Sequence, residues 1–173
     1  MGTPCYIAKQ IGDDKYRTIY CQFDGYLEHV GAILLDAYNT PEKLDELLSL
    51  GDISALGLRL SSESGKPYSE GHYTKDTTIA YARDMGEKMV EAQDMTLDEL
   101  YDCDCGVEFV YIFDRNNVWK YFNIFDSYGD PRSVKETLEA AFPNAIANAT
   151  EGYYKAIIRN ICQQDQASPN LSM

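Results

Sequence analysis

Four residues in a row, Asp102-Cys103-Asp104-Cys105, carry side chains able to bind a metal ion. A closed zinc site is usually assembled from two separated ligand pairs. No second Cys/His pair follows, and His29 and His72 stand apart. The run is therefore expected to be a polar turn beside a strand, with no metal and no cofactor. Acid/base hydrolysis would need paired titratable groups and a cation to stabilise developing charge. Asp24, His29, Arg83, Asp84 and Glu87 supply the residue types, but their spacing does not force them together. Asp24-Gly25 reads as a strand-to-helix turn whose carboxylate caps the helix, and Arg83-Asp84 as an ion pair after a strand. Gly25 and Gly31 are too far apart for a dinucleotide fingerprint, and no glycine-rich loop ends in Gly-Lys-Ser/Thr. No catalytic residue is assigned, and the chain is not expected to be an enzyme.

Binding chemistry has two candidate seats. Tyr20, Phe23, Tyr26, Tyr81 and Arg83 could stack on a base and pair with a phosphate if they converge, forming a small-ligand pocket. The charge distribution favours a different partner. From Asp84 to Glu108 nine acids face one base, Lys88, in a chain whose net charge is -13. Such a field repels nucleic acid, anionic lipid and phosphorylated ligands, and attracts basic protein surfaces. Asp94, Asp98, Glu99, Asp102, Asp104 and Glu108 form the expected partner-binding surface, with Asp36, Glu42, Asp45 and Glu46 folding alongside. The bland alternative is a solvated face that only keeps the protein soluble. As one helix, the segment would carry roughly one net charge per 5 Å at ~1.5 Å per residue, against one per ~1.7 Å in duplex DNA. It is a dilute mimic unless the fold adds acids to it. The scattered bases form no stripe, which argues against direct nucleic-acid binding.

The elements that must position these residues follow from the pattern of apolar positions. Tyr6 to Ile11 and Tyr16 to Gln22 flank Gly12-Asp13-Asp14-Lys15 as a hairpin. Leu27, Val30, Gly31, Leu34 and Tyr38 recur at helical offsets. Thr40 caps a second helix with Pro41 at its first position, and Gly51 stops it. Ser61 to Lys75 reads as a long surface loop, and Thr77 to Arg83 as a strand. Thr96-Leu97-Asp98-Glu99 has capping-box spacing for a short helix. Val107 to Phe113 and Val118 to Ile124 flank Asp114-Arg115-Asn116-Asn117 as a second hairpin. Asp130-Pro131 opens a helix through Phe142, and Ile146 to Ile161 marks a last helix loosened by Gly152, frayed from about Gln163. These elements predict one α+β domain: an antiparallel sheet of about five strands, two hairpins plus a lone strand, with four to five helices packed on it. Large residues on both faces of the second hairpin call for a cover, from the C-terminal helices or another subunit. Monomer and homodimer both satisfy this.

At 173 residues and 45% apolar content, the chain can bury a genuine core despite its charge. Five cysteines, an odd number without secretory context, are expected to stay reduced. The start of the chain lacks a basic n-region and an apolar run of signal-peptide length, and no window approaches a membrane span of about 20 apolar residues. A soluble, cytoplasmic protein is expected.

Tyr16-Arg17-Thr18-Ile19-Tyr20-Cys21-Gln22-Phe23-Asp24-Gly25-Tyr26, followed by Val30-Gly31, Leu34-Leu35, Tyr38 and Leu50-Gly51-Asp52-Ile53-Ser54, resembles small, largely uncharacterised proteins of bacteriophages and prophages. Ala80-Tyr81-Ala82-Arg83-Asp84-Met85-Gly86-Glu87 is similar to a second shared block, and the aromatic hairpin near Trp119 to a third. The resemblance covers roughly the first 125 residues. It implies a phage accessory protein and brings no catalytic residues with it. Small acidic phage proteins of this kind are often inhibitors of host defence, anti-CRISPR and anti-restriction proteins among them. The implied function is an anti-CRISPR-like inhibitor of an RNA-guided nuclease in the host cytosol, and the alternative is a protein that sequesters a nucleotide defence signal.

Overall fold

The structure, a computed structural model, describes residues 2–61, 76–102, 106–126, 130–147 and 149–167. Its strands are β1 (Cys5–Gly12), β2 (Lys15–Cys21), β3 (Ile53–Ala55), β4 (Ile79–Ala80), β5 (Gln93–Met95), β6 (Phe109–Phe113), β7 (Trp119–Asn123) and β8 (Arg132–Ser133). They form one sheet in the order β4-β3-β2-β1-β6-β7-β8, and β5 also pairs with β2. A π-helical turn, Leu27–Gly31, leads into α1 (Ala32–Ala37). Then come α2 (Pro41–Leu48), α3 (Tyr81–Met85), α4 (Leu97–Tyr101), α5 (Val134–Ala141), α6 (Pro143–Ala147) and α7 (Tyr153–Ala167).

The α+β class holds, but the expected architecture does not. The sheet has eight strands rather than about five and is mixed rather than antiparallel, and the described residues form seven α-helices rather than four or five. Both expected hairpins are present, and they join through their first strands: β1 and β6 run parallel, with Cys5 beside Phe109 and Lys9 beside Phe113. Alternation along a strand reports which residues share a face and not which way a partner runs. The extra strands are two or three residues long, too short for alternation to register. Thr77 to Arg83 yields only β4 before turning into α3, and the last predicted helix divides into α6 and α7 at Gly152, whose φ is +95°. The Ser61–Lys75 loop lies, except for Ser61, outside the described residues.

Period-two side chains give the sheet two apolar faces. Cys5, Ile7, Ile19, Cys21, Tyr111, Phe113 and Trp119 lie under Leu34, Leu44, Leu47, Val134, Leu138 and Ile157 of the helices. Ala8, Tyr16, Val110, Ile112 and Phe122 face the other way, under Leu100 of α4. Both faces of the second hairpin are thus covered from within the chain. Buried polar tips find partners, as their desolvation requires: Trp119 Nε1 donates to the Tyr38 carbonyl at 3.0 Å, and the Tyr111 hydroxyl to that of Gly25 at 2.6 Å. Asp36 fastens the longest helix, accepting from the first two backbone N–H groups of α7, Tyr153 at 2.9 Å and Tyr154 at 2.8 Å.

Candidate functional site

The acidic segment takes its form from α4. Thr96 Oγ1 accepts the Glu99 N–H at 3.2 Å and Glu99 Oε1 accepts that of Thr96 at 3.1 Å, so the expected capping box is formed. Asp14, in the turn between β1 and β2, accepts the Leu97 N–H at 2.9 Å. Fully buried Leu100 then pulls the helix onto the sheet, and the Tyr101 ring stacks on Phe122 with centroids 3.9 Å apart and planes at 15°. One side of α4 being so occupied, Asp98, Glu99 and Asp102 are left in solvent. Asp98 and Asp102 sit one helical turn apart on the same side. Asp130, expected only to open a helix, is near enough to act on the Tyr101 hydroxyl, and it lines a cavity with Phe122, Asp126 and Arg132. The Tyr101 hydroxyl has its pKa raised by burial first and by Asp130 second.

Other members of the expected surface are placed elsewhere. Asp94 is neutralised by Arg17 at 3.2 Å and Lys15 at 3.6 Å. Glu108 is half-buried ahead of β6, and Asp104 lies outside the described residues. The acids expected to fold alongside do not. α2 packs on the opposite face of the sheet from α4, where Asp45 meets Lys9 at 2.8 Å and Glu46 meets Lys43 at 3.8 Å. Asp36 is committed to α7. Most described cations are likewise spent within the molecule: besides those already named, Arg115 holds Asp13, Lys120 holds Asp114, Arg132 holds Asp126 and Arg159 holds Glu151. Among the described residues no ion pair reaches Asp98, Glu99, Asp102 or Asp130.

The alternative pocket is only half assembled. Tyr20 and Tyr81 approach each other beside Gln22, whose Oε1 accepts the Tyr81 hydroxyl, and Tyr20 sets its ring edge-on to Tyr6. Arg83 serves another purpose. Its guanidinium donates to the carbonyls of Leu60 at 2.6 Å and Thr78 at 2.8 Å and to both oxygens of Asp84 at 3.0 Å. The Asp84 side chain is itself fully buried and accepts the Ala80 N–H at 2.7 Å. A guanidinium so engaged is a backbone clamp and has little left for a phosphate. Phe23 and Tyr26 point outward from the loop that follows β2, 39% and 38% exposed.

The five residues weighed for hydrolysis also separate. Asp24 reaches His29 only through its field: burial pushes the His29 pKa below its ordinary value, with Asp24 and a backbone hydrogen bond to Leu56 pulling against it. The imidazole lies edge-on to Tyr154 at 5.1 Å and tilted to Tyr26 at 5.8 Å. Arg83 and Asp84 sit on α3, tied to β4, and Glu87 follows that helix. Asp24 makes no helix cap: the turn starting at Leu27 has Tyr26 as its N-cap with no side-chain hydrogen bond, and Asp24 takes φ +59° instead. Among the described residues no group of three His, Cys, Asp or Glu side chains is arranged to hold a metal. Cys103, Asp104 and Cys105 lie outside them.

No protein-family profile, curated protein or solved structure matches the chain. Among the described residues no helix is long and apolar enough to cross a membrane.

Proposed function

We propose that this chain is an acidic binding protein that docks on a basic, nucleic-acid-binding surface of another protein. The observation that carries the proposal is the contrast in charge pairing: the described cations are largely consumed in internal ion pairs, while α4 offers Asp98, Glu99 and Asp102 to solvent, with Asp130 near enough to act on Tyr101. The resemblance of the Tyr16–Tyr26 and Ala80–Glu87 blocks to phage accessory proteins gives the reading its specific form. In that form the chain is a phage-encoded, anti-CRISPR-like inhibitor acting in the host cytosol, and its target is an RNA-guided nuclease. The engagement of Arg83 with Leu60, Thr78 and Asp84 weighs against the nucleotide-sequestering alternative.

The test is a triple variant, Asp98→Asn, Asp102→Asn and Asp130→Asn, with Glu99 retained because its carboxylate closes the capping box. Exposed charge pairs contribute about 0.2–1 kcal/mol each. Three should therefore cost about 0.6–3 kcal/mol, roughly a three- to 150-fold loss of affinity. Binding to a purified RNA-guided nuclease should weaken with salt and compete with its guide or target nucleic acid. A folded triple variant that inhibits as well as the parent would make α4 a solubility face.

A further inference from the structure

The loop between β2 and the π-helical turn forms a second surface, roughly 20 Å from the Asp14 anchor of α4 at ~3.3 Å per strand residue. Its backbone is pinned at several points. Phe23 N donates to the Ser54 carbonyl at 3.0 Å, Gly25 N to that of Thr3 at 2.7 Å, and the Gly25 carbonyl receives the buried Tyr111 hydroxyl. The Tyr26 carbonyl accepts from His29 and Val30, both at 3.1 Å. Gly25 has no space for a side chain, because a Cβ there would lie 2.5 Å from the Thr3 carbonyl oxygen. Single exposed apolar residues are ordinary, but here two aromatic rings, Phe23 and Tyr26, are held out by a loop with little freedom to fold them back. Rigid aromatic anchors of this kind lose little entropy on binding and dominate interface energetics.

The surroundings specify the occupant. Exposed Asp24 and half-buried Glu28 stand two residues to either side of Tyr26, whose hydroxyl pKa is raised by burial first and then by these two carboxylates, while His29, 5.8 Å from the Tyr26 ring, is held toward its neutral form by burial. The local charge is therefore negative, which repels a phosphate and suits a cation. Tyrosine attracts ammonium and guanidinium groups over its ring face, and carboxylates at the rim add charge-assisted hydrogen bonds. We propose that the Phe23–Glu28 loop docks a basic segment of a partner protein, with an arginine or lysine side chain over Tyr26 between Asp24 and Glu28, and Phe23 against an adjoining apolar group. This surface is distinct from α4, and each can fail without the other.

The experiment titrates the isotopically labelled full chain with a hexa-arginine peptide at physiological salt and follows backbone amide shifts. Residues 23–29 should shift together, as a set separate from any shifts at α4. Asp24→Asn with Glu28→Gln, and separately Tyr26→Ala, should each weaken binding at least fivefold. Asn tolerates the positive φ at position 24, and Tyr26→Phe, which keeps the ring, should stay within twofold of the parent and so separate loss of the site from loss of the fold. Asp98→Asn with Asp102→Asn should change affinity at this loop less than twofold. Residues 23–29 unshifted while other amides respond, an unaffected Tyr26→Ala variant, or no measurable binding would each overturn the proposal. So would an oligothymidine that perturbed the same amides more tightly than the peptide.

Discussion

Replacing Asp36 by alanine should unfasten α7 from the rest of the domain. The Asp36 carboxylate supplies acceptors for the Tyr153 and Tyr154 N–H groups, orphans that the helix cannot satisfy internally. Removing an N-cap acceptor costs about 0.5–2 kcal/mol. Because Asp36 is exposed on one side, the lost charge adds little beyond that, and about 1–2 kcal/mol is expected. Asp36→Asn keeps one acceptor and should cost about half as much by the same reasoning. Gly152 offers an independent check. At φ +95° a Cβ is strained, and it would lie 3.0 Å from the Asp36 carboxylate. Gly152→Ala should therefore destabilise, but less in the Asp36→Ala background, where the contact is gone, so the double-mutant cycle should be non-additive. Chemical denaturation gives the four stabilities, and hydrogen exchange at Ala156 and Ile157, both buried, shows whether α7 opens locally. Additive mutations with unchanged exchange at those amides would refute the account.

Cys5 and Cys21 lie directly opposite each other, both without solvent exposure, and burial together with the hydrogen bond its thiol donates to Cys21 pushes the Cys5 thiol well up. Thiol labelling with peptide mapping should therefore mark exposed Cys162 promptly and reach Cys5 and Cys21 only on unfolding; rapid native labelling of either would contradict the register. Tyr38, donating its hydroxyl to the Gly57 carbonyl at 2.7 Å, has its pKa pushed up to about 12 by burial, against an ordinary 10. The folded state holds that proton more tightly, so this contribution to stability is complete below pH 10 and is lost as pH rises toward 12. Tyr38→Phe should flatten stability across that window in pH-dependent denaturation.

Local signals in the sequence transferred well to the structure. Thr40 with Pro41, the Thr96–Glu99 box and the Asn117 turn, at φ +60°, each depend on chemistry within four residues. What required long-range partners did not. Nothing near Asp36 indicates that it caps a helix more than a hundred residues on, and nothing near Arg83 indicates that Leu60 will accept from it. The acidic surface was legible as a segment but not as a face: ion pairing removed Asp94, the sheet divided α2 from α4, and Asp130 arrived from outside the segment. Asp24 was correctly placed in a turn but misread in role, because Asp favours both helix caps and left-handed backbone. Here the backbone demand won.

The parallel pairing of β1 with β6 bears on how the chain comes to be folded. β1 is an interior strand, yet the neighbour that completes it on one side, beginning with Phe109 beside Cys5, is synthesised about a hundred residues later. A nascent chain can close the β1–β2 hairpin early, but the other edge of β1 then waits, unpaired and carrying buried-type residues such as Ile7 and Ala8, until β6 emerges. Sequence-distant contacts of this kind slow folding, and open strand edges invite wrong partners meanwhile. The same residues that give the finished sheet its centre are thus the ones most dependent on the pace of synthesis.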